Sequence, residues 1–397
     1  MKTPESGQRG TPDFLLLILT LLLVGFGLIM VFSASSSMAV SKSIYNNDAL
    51  YFVKRQLMWV GIGTIIMLVL MNIHFQKYKK LFILFFMGTL FLLILVPFVA
   101  TETHGAKSWL GIGGFGIQPT EFAKLAIILY LAAIIAKKDE KFRDFKRGLL
   151  PVMIVVGFFA FLIMLQPDFG SCAILVLSAS AIVIAGGSNL KHILLSSGVL
   201  LGLAVLGTSL YFLIHPGAGF GFRGARFTSF MDPLADQQGS GYHLLRSLEA
   251  FGHGGFMGTG LGNSVQKLFY LPFAYNDFIF AVIGEELGFV GTTLFILFYI
   301  FFLWRALIVA LRCPDIYGTL VGIGLVSLIA IQALINMGGV SGAIPITGVT
   351  LPFVSYGGSS MLTLLTGMGI LLSISREYNR VGKEPPVTSH NKRNIKT

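Results

Sequence analysis

Hydrophobic residues in this sequence form long, nearly uncharged runs that alternate with short polar stretches. The first run, Phe14 to Phe32, contains no acidic or basic residue. A helix needs roughly 20 apolar residues to cross about 30 Å of membrane hydrocarbon, and runs of about this length recur along the chain. The pattern therefore predicts an all-α integral membrane protein with about ten transmembrane helices. We predict spans at residues 14–33, 53–72, 81–100, 118–136, 149–165, 170–187, 192–213, 276–306, 318–340 and 353–374.

The composition agrees with insertion into a membrane. Hydrophobic residues make up 54% and charged residues 12% of the 397 positions. So few polar residues could not cover the surface of a soluble protein of this length. The first run is longer than the roughly 7–15 apolar residues of a secretion signal, so we expect an uncleaved first span. The two cysteines, Cys172 and Cys313, are far apart in this layout, which predicts neither a disulfide nor a cysteine metal site.

The net charge of +11 comes from 29 basic and 18 acidic residues, and its distribution predicts the topology. Basic residues are concentrated between positions 137 and 147 and again from Arg376 onward. Cytoplasmic connections of membrane proteins carry an excess of Lys and Arg, so this bias places both termini in the cytoplasm. The charge thus indicates orientation and not nucleic-acid binding. We predict a cytoplasmic segment at 1–13, a membrane domain at 14–375 and a basic cytoplasmic tail at 376–397.

One connection, residues 214–275, is long and contains no candidate span. The predicted topology places it outside the cell. Connections longer than about 12–15 residues are uncommon unless they are functional or disordered, and this one is too rich in Phe, Leu and Tyr for a disordered segment. We predict an extracellular loop with short helices against the membrane face. Its glycine-rich residues 252–262 favour tight turns.

This loop contains two carboxylates four positions apart, Asp232 and Asp236, in the stretch FMDPLADQQGSGYH at residues 230–243. An Asp-Pro pair is typical of a helix start, so Asp232 is predicted to cap a helix. Asp236 comes too late to cap that helix. It is either a solvated loop charge or a carboxylate that takes part in chemistry.

Cations in the same loop favour chemistry at Asp236. They can be ordinary ion pairs, but they are also the groups that stabilise charge on a diphosphate leaving group. Tyr242 and His243 add hydrogen-bonding groups nearby. The loop cations are Arg223, Arg226, Arg246 and Lys267.

A second polar cluster lies in SWLGIGGFGIQPTEFAKL, residues 108–125. Its glycines match G-x-G-x-x-G, but we predict no strand before them and interpret the match as a coincidence. Pro119 predicts the start of span four, which puts Glu121 in the first helical turn and Lys124 on the same face. This pair is either a structural ion pair at the outer interface or a charged wall of an outward-facing cavity. Trp109 could be an ordinary interfacial aromatic residue.

Span eight carries two adjacent acids, Glu285 and Glu286, roughly 12–14 Å deeper than Asp277 along a helix. Acids at that depth are costly unless they are paired or in contact with water, and such acids often mark a translocation path. Gln332 and Asn336, four positions apart in span nine, are predicted to join neighbouring helices by hydrogen bonds.

Five separated motifs resemble the SEDS family of bacterial cell-wall proteins, and the similarity extends from about residue 13 to 376. The long loop, which ends in GLGNSVQKLFYLP, is more similar to the division and sporulation branch (FtsW and SpoVE) than to the RodA branch. The motifs are QPTEFAKL (118–125), QPDFG (166–170), GSGYH (239–243), DFIFAVIGEELGFVG (277–291) and LPFVSYGGSS (351–360).

The resemblance implies a peptidoglycan glycosyltransferase that polymerises Lipid II at the outer face of the cytoplasmic membrane. Its implied partners are a class B penicillin-binding protein and proteins of division or sporulation. The family's essential loop acid is carried over to Asp236 as the catalytic residue. The implied substrate-binding residues are Trp109, Gln118, Glu121, Lys124, Arg223, Arg226, Lys267, Ser355 and Ser359.

We hypothesise that Asp236 accepts a proton from the acceptor hydroxyl while cations stabilise the departing diphosphate. A divalent cation, Mg or Mn, could assist in that second task. Two other functions stay open at this point. One is a flippase for the lipid-linked precursor, which Glu285 and Glu286 would suit, and the other is a non-catalytic scaffold for a penicillin-binding protein.

Overall fold

A computed structural model describes residues 10–103, 106–112, 115–166, 168–189, 191–192, 230–234 and 239–381. The described chain is predominantly helical, with one small antiparallel sheet. The helices are α1 Phe14–Ser41, α2 Tyr51–Asn72, α3 Tyr78–Val99, α4 Pro119–Lys138, α5 Leu150–Met164, α6 Phe169–Ala185, α7 Ser240–Gly254, α8 Ile279–Leu311, α9 Ile316–Val340 and α10 Gly358–Val381. The strands are β1 Thr101–Thr103, β2 Ala106–Ile112 and β3 Phe115–Ile117.

The helices confirm an all-α membrane protein. Within the described ranges, eight helices are long and apolar enough to cross a membrane, and α6 is a shorter apolar helix at the place of the sixth predicted span. The seventh predicted span, 192–213, falls almost wholly outside the described residues. The tenth span was predicted from residue 353, but α10 begins at Gly358 because residues 341–357 form an irregular connection.

The bundle has two distinct ends. At one end, which we call the terminal end, Asp13 before α1 forms a bidentate ion pair with Arg305 of α8, with 2.5 Å between Nη2 and Oδ2. There, too, the Asp13 amide donates to Ser375 of α10 and Arg376 donates to the carbonyl of Gly10. These contacts join the start of α1 to the last turns of α8 and α10. The opposite end, where α4 and α10 begin, is the loop end.

Small residues let α10 and α2 pack closely. A methyl group at Gly369 of α10 would lie 2.8 Å from the carbonyl oxygen of Met67 on α2, and one at Gly63 would lie 2.6 Å from the side chain of Leu365. Membrane helices commonly use glycine in this way, because close packing replaces the hydrophobic effect that is absent in lipid. The α2–α10 pair thereby positions the start of α10 at the loop end.

The three strands form a sheet in the order β1-β2-β3 at the loop end. In the hairpin β2-β3, Gly111 lies opposite Gly116 and Leu110 opposite Ile117. The prediction of no strand around these glycines was therefore wrong, because hairpin pairing overrides the low strand propensity of glycine. The hairpin is antiparallel and not the strand-turn-helix unit of a dinucleotide site, so the motif match stays a coincidence.

Helix α8 is interrupted at Gly288, where φ is 65° and ψ is −170°. Residues 255–268, which we call the interlock segment, follow α7 and cross this break. The Thr259 amide donates to the carbonyl of Glu285 and the Phe289 amide donates to the carbonyl of Gly255, at 3.0 and 2.9 Å. Freed backbone groups at membrane depth need partners within the protein, and the interlock segment supplies them.

The described part of the long loop contains the predicted short helix, α7. The predicted tight turns in residues 252–262 are confirmed for the second part of that range, where Gly255, Gly258, Gly260 and Gly262 have positive φ. They were wrong for residues 252–254, which form the last turn of α7.

We expect Gly258→Ala to destabilise the fold far more than Gly262→Ala. Both glycines have positive φ, +81° and +87°, so alanine adds a backbone cost of roughly 1–2 kcal/mol at each. At Gly258 the new methyl group would also overlap the carbonyl oxygen of Glu286, whereas no described atom lies within 4 Å of it at Gly262. Melting temperatures of the detergent-purified proteins check this; equal losses would show that the interlock tolerates a side chain.

Candidate functional site

The predicted site residues that the structure describes gather at the loop end of the bundle. Asp236, Arg223 and Arg226 lie outside the described residues, so their roles stay predictions. The residues at the loop end are Trp109, Gln118, Glu121, Lys124, Lys267, Ser355 and Ser359.

Glu121 and Lys124 form the predicted ion pair in the first turns of α4. The Lys124 ammonium lies 2.7 Å from Glu121 Oε1 and donates to Gln332 Oε1 of α9 at 3.1 Å. Glu121 is 6% exposed and Lys124 is 2% exposed. The pair is therefore an internal element of the bundle and not a solvated surface contact. Its burial makes it electrostatically stronger than an exposed pair, and dependent on both partners.

Polar side chains of α9 extend this pair to the connection before α10. Gln332 Nε2 donates to the carbonyl of Thr350 at 3.1 Å, and Thr350 Oγ1 donates to Ser360 Oγ at 3.3 Å. One turn along α9, Asn336 Nδ2 donates to the carbonyls of Asp277 and Val349 at 2.8 and 2.7 Å. The predicted hydrogen bond between helices is confirmed for Gln332, which joins α9 to α4. Asn336 instead joins α9 to the residue before α8 and to the irregular connection before α10.

Gln118 and Ser359 connect four elements at the loop end. The Gln118 amide donates to Ser359 Oγ at 3.0 Å, and that hydroxyl donates to the carbonyl of Gly116 in β3. The Gln118 side chain donates to Asp168, the N-cap of α6, at 3.3 Å. Trp109 lies against Gly116 and is 37% exposed. These contacts fix the positions of both polar side chains, and their contacts with substrate stay predictions.

Ser355 shapes the irregular connection before α10. Its hydroxyl accepts the Leu351 amide at 2.8 Å, and its carbonyl accepts Gln56 Nε2 of α2 at 3.2 Å. Gln56 Oε1 in turn accepts the Gly357 amide. Ser355 is buried, so the contacts described give it a structural role, and its substrate contact stays a prediction.

Lys267 lies in a buried cluster with Glu286. Its ammonium is 2.8 Å from Glu286 Oε1 and 3.0 Å from Ser33 Oγ of α1. Glu286 also accepts from Ser33 at 2.6 Å. The expectation that acids at this depth need partners is confirmed. The sequence predicted that Lys267 binds a diphosphate, but in the structure its charge is paired with Glu286, an acid 19 positions away.

Glu285 is surrounded by donors from α7 and the interlock segment. It accepts the amide of Val265 at 2.8 Å, the amide of Gln266, the hydroxyl of Ser264 and a contact of 2.7 Å from His253 Nδ1. The carboxylate is fully buried, while the His253 side chain is half exposed. An ionised carboxylate with this many donors is well accommodated in an apolar bundle.

The other described loop cation, Arg246 of α7, is also paired. It lies 2.6 Å from Glu249 on the exposed side of the helix and 4.9 Å over the ring of Tyr242. His243 stacks on Phe278, with ring centroids 5.7 Å apart. Arg246 and Lys267, the two loop cations that the structure describes, are thus both paired with a carboxylate.

Asp232 accepts the Leu234 amide at 3.1 Å, a contact that Asp makes both in turns and as a helix N-cap. The residues that would continue a helix after Leu234, 235–238, lie outside the described residues, so the capping role stays a prediction. Asp232 is exposed to solvent.

Sequence reasoning gave too little weight to Asp277, which served only as a depth reference for Glu285. It is half-buried, two residues before α8, and its backbone carbonyl is held by Asn336. Burial raises the pKa of the nearby Tyr275 hydroxyl, with smaller contributions from Tyr45, Tyr356 and Asp277. The motif DFIF at 277–280 was visible in the sequence, but its position beside α9 was not.

Aromatic rings surround Tyr275 at the loop end and were also missed. Tyr275 lies 4.4 Å from Phe52 and 5.7 Å from Tyr356 between ring centroids. Tyr45 and Tyr51 extend the group from the α1–α2 connection. The cluster packs the α1–α2 connection against the residues before α8, and so supports the backbone that carries Asp277.

Within the described ranges, no group of three or more His, Cys, Asp or Glu side chains is arranged to hold a metal ion. The divalent cation suggested from the sequence stays a prediction.

Comparison with known proteins gives one consistent result along the chain. A sequence family described as "Cell cycle protein", which groups FtsW, RodA and SpoVE, matches residues 13–380. Stage V sporulation protein E of Bacillus subtilis is 44% identical over 376 residues, covering 94% of this chain and 99% of that protein. The probable peptidoglycan glycosyltransferase FtsW of the same species is 40% identical over 390 residues, covering 94% of both chains.

Solved structures show the same likeness. A structure described as "Structural coordination of polymerization and crosslinking by a peptidoglycan synthase complex" matches with a TM-score of 0.73 and 26% identity, covering 92% of this chain and 98% of that one. The rod shape determining protein RodA of Thermus thermophilus matches with a TM-score of 0.64 and 26% identity, covering 92% and 97%.

We expect Lys124→Met to cost about 3–5 kcal/mol of stability, because it leaves Glu121 as an unpaired buried charge. Adding Glu121→Gln to the same protein should restore most of that loss, since the buried charge is then gone. The exposed pair provides the control, and Arg246→Met should cost much less. Melting temperatures in detergent check the series. A double variant less stable than Lys124→Met would contradict the pair's electrostatic role.

Proposed function

The chain belongs to the FtsW, RodA and SpoVE family of cell cycle proteins, and from this premise we propose that it is a peptidoglycan glycosyltransferase. It polymerises Lipid II into glycan strands at the outer face of the bacterial cytoplasmic membrane, in division or in sporulation. Relatives named probable peptidoglycan glycosyltransferase FtsW match over nearly the whole chain, which supports this activity.

The observation that carries the proposal is the grouping of fixed carboxylates and cations at one end of an apolar bundle. Asp277 and the Glu121–Lys124 pair are joined through Asn336 and Gln332, which lie one turn apart on α9. A transferase that works on a lipid-linked sugar needs such groups near the membrane surface, where the lipid stays in the bilayer and the sugar stays in water.

In the proposed reaction, the 4-hydroxyl of an acceptor GlcNAc attacks C1 of a donor MurNAc. The C1–oxygen bond to the polyprenyl diphosphate breaks, and the hydroxyl proton passes to a carboxylate. Such general-base help is typically worth roughly 10²–10⁴-fold, so the rest of the rate must come from positioning and charge stabilisation. Lys124 is proposed as a substrate-binding residue. Its charge is paired with Glu121, as that of Lys267 is with Glu286, and one of its three N–H groups has no acceptor among the described residues.

Two carboxylates are candidates for the proton acceptor. Asp236 is the candidate from the sequence. Asp277 is the candidate that the described geometry favours, because its backbone is held by Asn336 at the start of α8 and its side chain is only half-buried. A base must be both fixed and accessible to a substrate hydroxyl, and these two properties meet at Asp277.

The contacts of the deep acids weaken the rival proposal of a lipid flippase. That proposal depended on Glu285 and Glu286 as charges along a translocation path. Both carboxylates instead accept hydrogen bonds from neighbouring segments of the same chain, and Glu286 is paired with Lys267. An assay for glycan polymer from labelled Lipid II distinguishes a non-catalytic scaffold from an enzyme.

We further propose that the protein works in a complex with a class B penicillin-binding protein and with division or sporulation proteins. Its structural likeness to a component of a peptidoglycan synthase complex supports a synthase partner. Both termini are proposed to lie in the cytoplasm. Basic residues near the terminal end, such as Lys141 and Arg147, support that orientation.

We expect purified protein with its synthase partner to form glycan polymer from labelled Lipid II, and one aspartate variant to lose it. Asp236→Asn and Asp277→Asn are compared, with Asp232→Asn as the control on an exposed carboxylate. Asparagine keeps the shape but accepts no proton, so a loss of about 100-fold or more identifies the base. Polymer formation by both variants at the wild-type rate would refute both candidates, and translocation without polymer would favour a flippase.

We expect Ser43→Cys, in the α1–α2 connection at the loop end, to react with a membrane-impermeant thiol reagent in intact cells. Lys141→Cys, exposed at the terminal end, should react only after permeabilisation. Both are made in a chain whose native cysteines are replaced by alanine. The reverse pattern would place the loop end in the cytoplasm and exclude polymerisation on the outer face.

A further inference from the structure

The carboxylate of Glu285 is bound at both oxygens by other parts of the chain. Its two oxygens receive backbone amides of Val265 and Gln266, the Ser264 hydroxyl and the His253 ring. These donors come from two places, the last turn of α7 and the interlock segment. The side chain of Glu285 is 0% exposed. One buried charge thus attaches two parts of the loop to α8.

The surrounding glycines let α8 and the facing backbone approach so closely that no side chain fits between them. A methyl group at Gly254 would overlap the carbonyl oxygen of Gly284, and one at Gly288 would overlap the backbone nitrogen of Gly258. The Thr259 and Gly260 amides donate to the carbonyls of Glu285 and Glu286 at 3.0 Å. Side chain and backbone of the same residue therefore hold the interlock segment from both sides.

Both ends of this attached region lead to the candidate proton acceptors. Towards the N-terminus, α7 begins at Ser240, four residues after Asp236. α7 is also fixed to α9, because Ser247 Oγ donates to the carbonyl of Val340 at 2.6 Å. Towards the C-terminus, residues 269–276 lead from the interlock segment directly to Asp277.

Glu286, the neighbouring acid, differs from Glu285 in its partners. Only its Oε1 accepts hydrogen bonds from Lys267 and Ser33, and its Oε2 has no partner among the described residues. Its side chain forms an ion pair with Lys267 in the interlock segment and a hydrogen bond with Ser33 of α1. Glu285 is therefore the residue of the pair that orders backbone.

We propose that Glu285 is a positioning residue for polymerisation, which acts through the interlock segment to set the position of Asp277 before α8. This rests on the proposed function. The carboxylate does not touch substrate. It holds the Val265 and Gln266 amides, and thereby fixes the chain stretch that leads to Asp277. A displacement of about 1 Å at a reacting group can cost roughly 100-fold in rate, so loosening this region lowers turnover.

The test is Glu285→Gln in the full-length protein with its synthase partner. The amide keeps one acceptor oxygen but places an N–H₂ group against donors that need an acceptor. We expect faster amide hydrogen exchange in peptides that cover residues 258–278. We also expect kcat for Lipid II polymerisation to fall by about 10–100-fold, with KM within about twofold of wild type.

Two further variants make the result specific. Glu140→Gln is the matched control, since it makes the same change on an exposed acid at the terminal end and should alter neither measurement. Ser264→Ala removes one donor to Glu285 and should give a smaller change in both measurements in the same direction. It also provides the test if Glu285→Gln does not fold.

Faster exchange together with a lower kcat supports the proposal. Faster exchange with unchanged kcat overturns it, because the segment would then be irrelevant to turnover. A lower kcat without faster exchange also overturns it, because Glu285 would then act directly. If the wild-type protein forms no polymer, the proposed function fails by itself, and the exchange data separate that failure from an error about the contacts of Glu285.

Discussion

Buried charge in an apolar bundle is the constraint on which this structure depends. A carboxylate removed from water costs several kcal/mol unless donors from the protein replace its hydration. Glu285 and Glu286 meet that requirement with backbone amides, hydroxyls and Lys267. In doing so they bind the interlock segment to the break in α8. The break in α8 and the close glycine contacts lie at the same place.

The second buried charge centre, between α4 and α9, follows the same rule. Lys124 is neutralised by Glu121 and oriented by Gln332. Gln332 and Asn336 occupy successive turns of α9, so this helix connects the α4 ion pair to the backbone of Asp277. The loop end is therefore a set of polar groups held in place by helices. A site on rigid helices can keep reacting groups in register, which a mobile loop could not do.

The contacts also change the meaning of charges that look functional in the sequence. Lys267 and Arg246 seemed suited to a diphosphate because they lie near Asp236 in the chain, yet each already has a carboxylate partner. Asp277 does not stand out in the sequence, where it is a single acid before a hydrophobic run. Its place beside α9, and not its sequence context, makes it a candidate for catalysis.

The amino-acid sequence by itself determined the membrane spans that the structure describes, a short helix in the long loop, and the Glu121–Lys124 pair. These features are local, since hydrophobic length and helical periodicity act between residues a few positions apart. Only the tertiary structure decided the partners of Glu285, Glu286 and Lys267, the β2-β3 hairpin and the position of Asp277. The hydrogen-bond partners of the two glutamates lie 19 to 253 positions away in the sequence. Which of many distant donors meets a buried acid depends on how the helices pack.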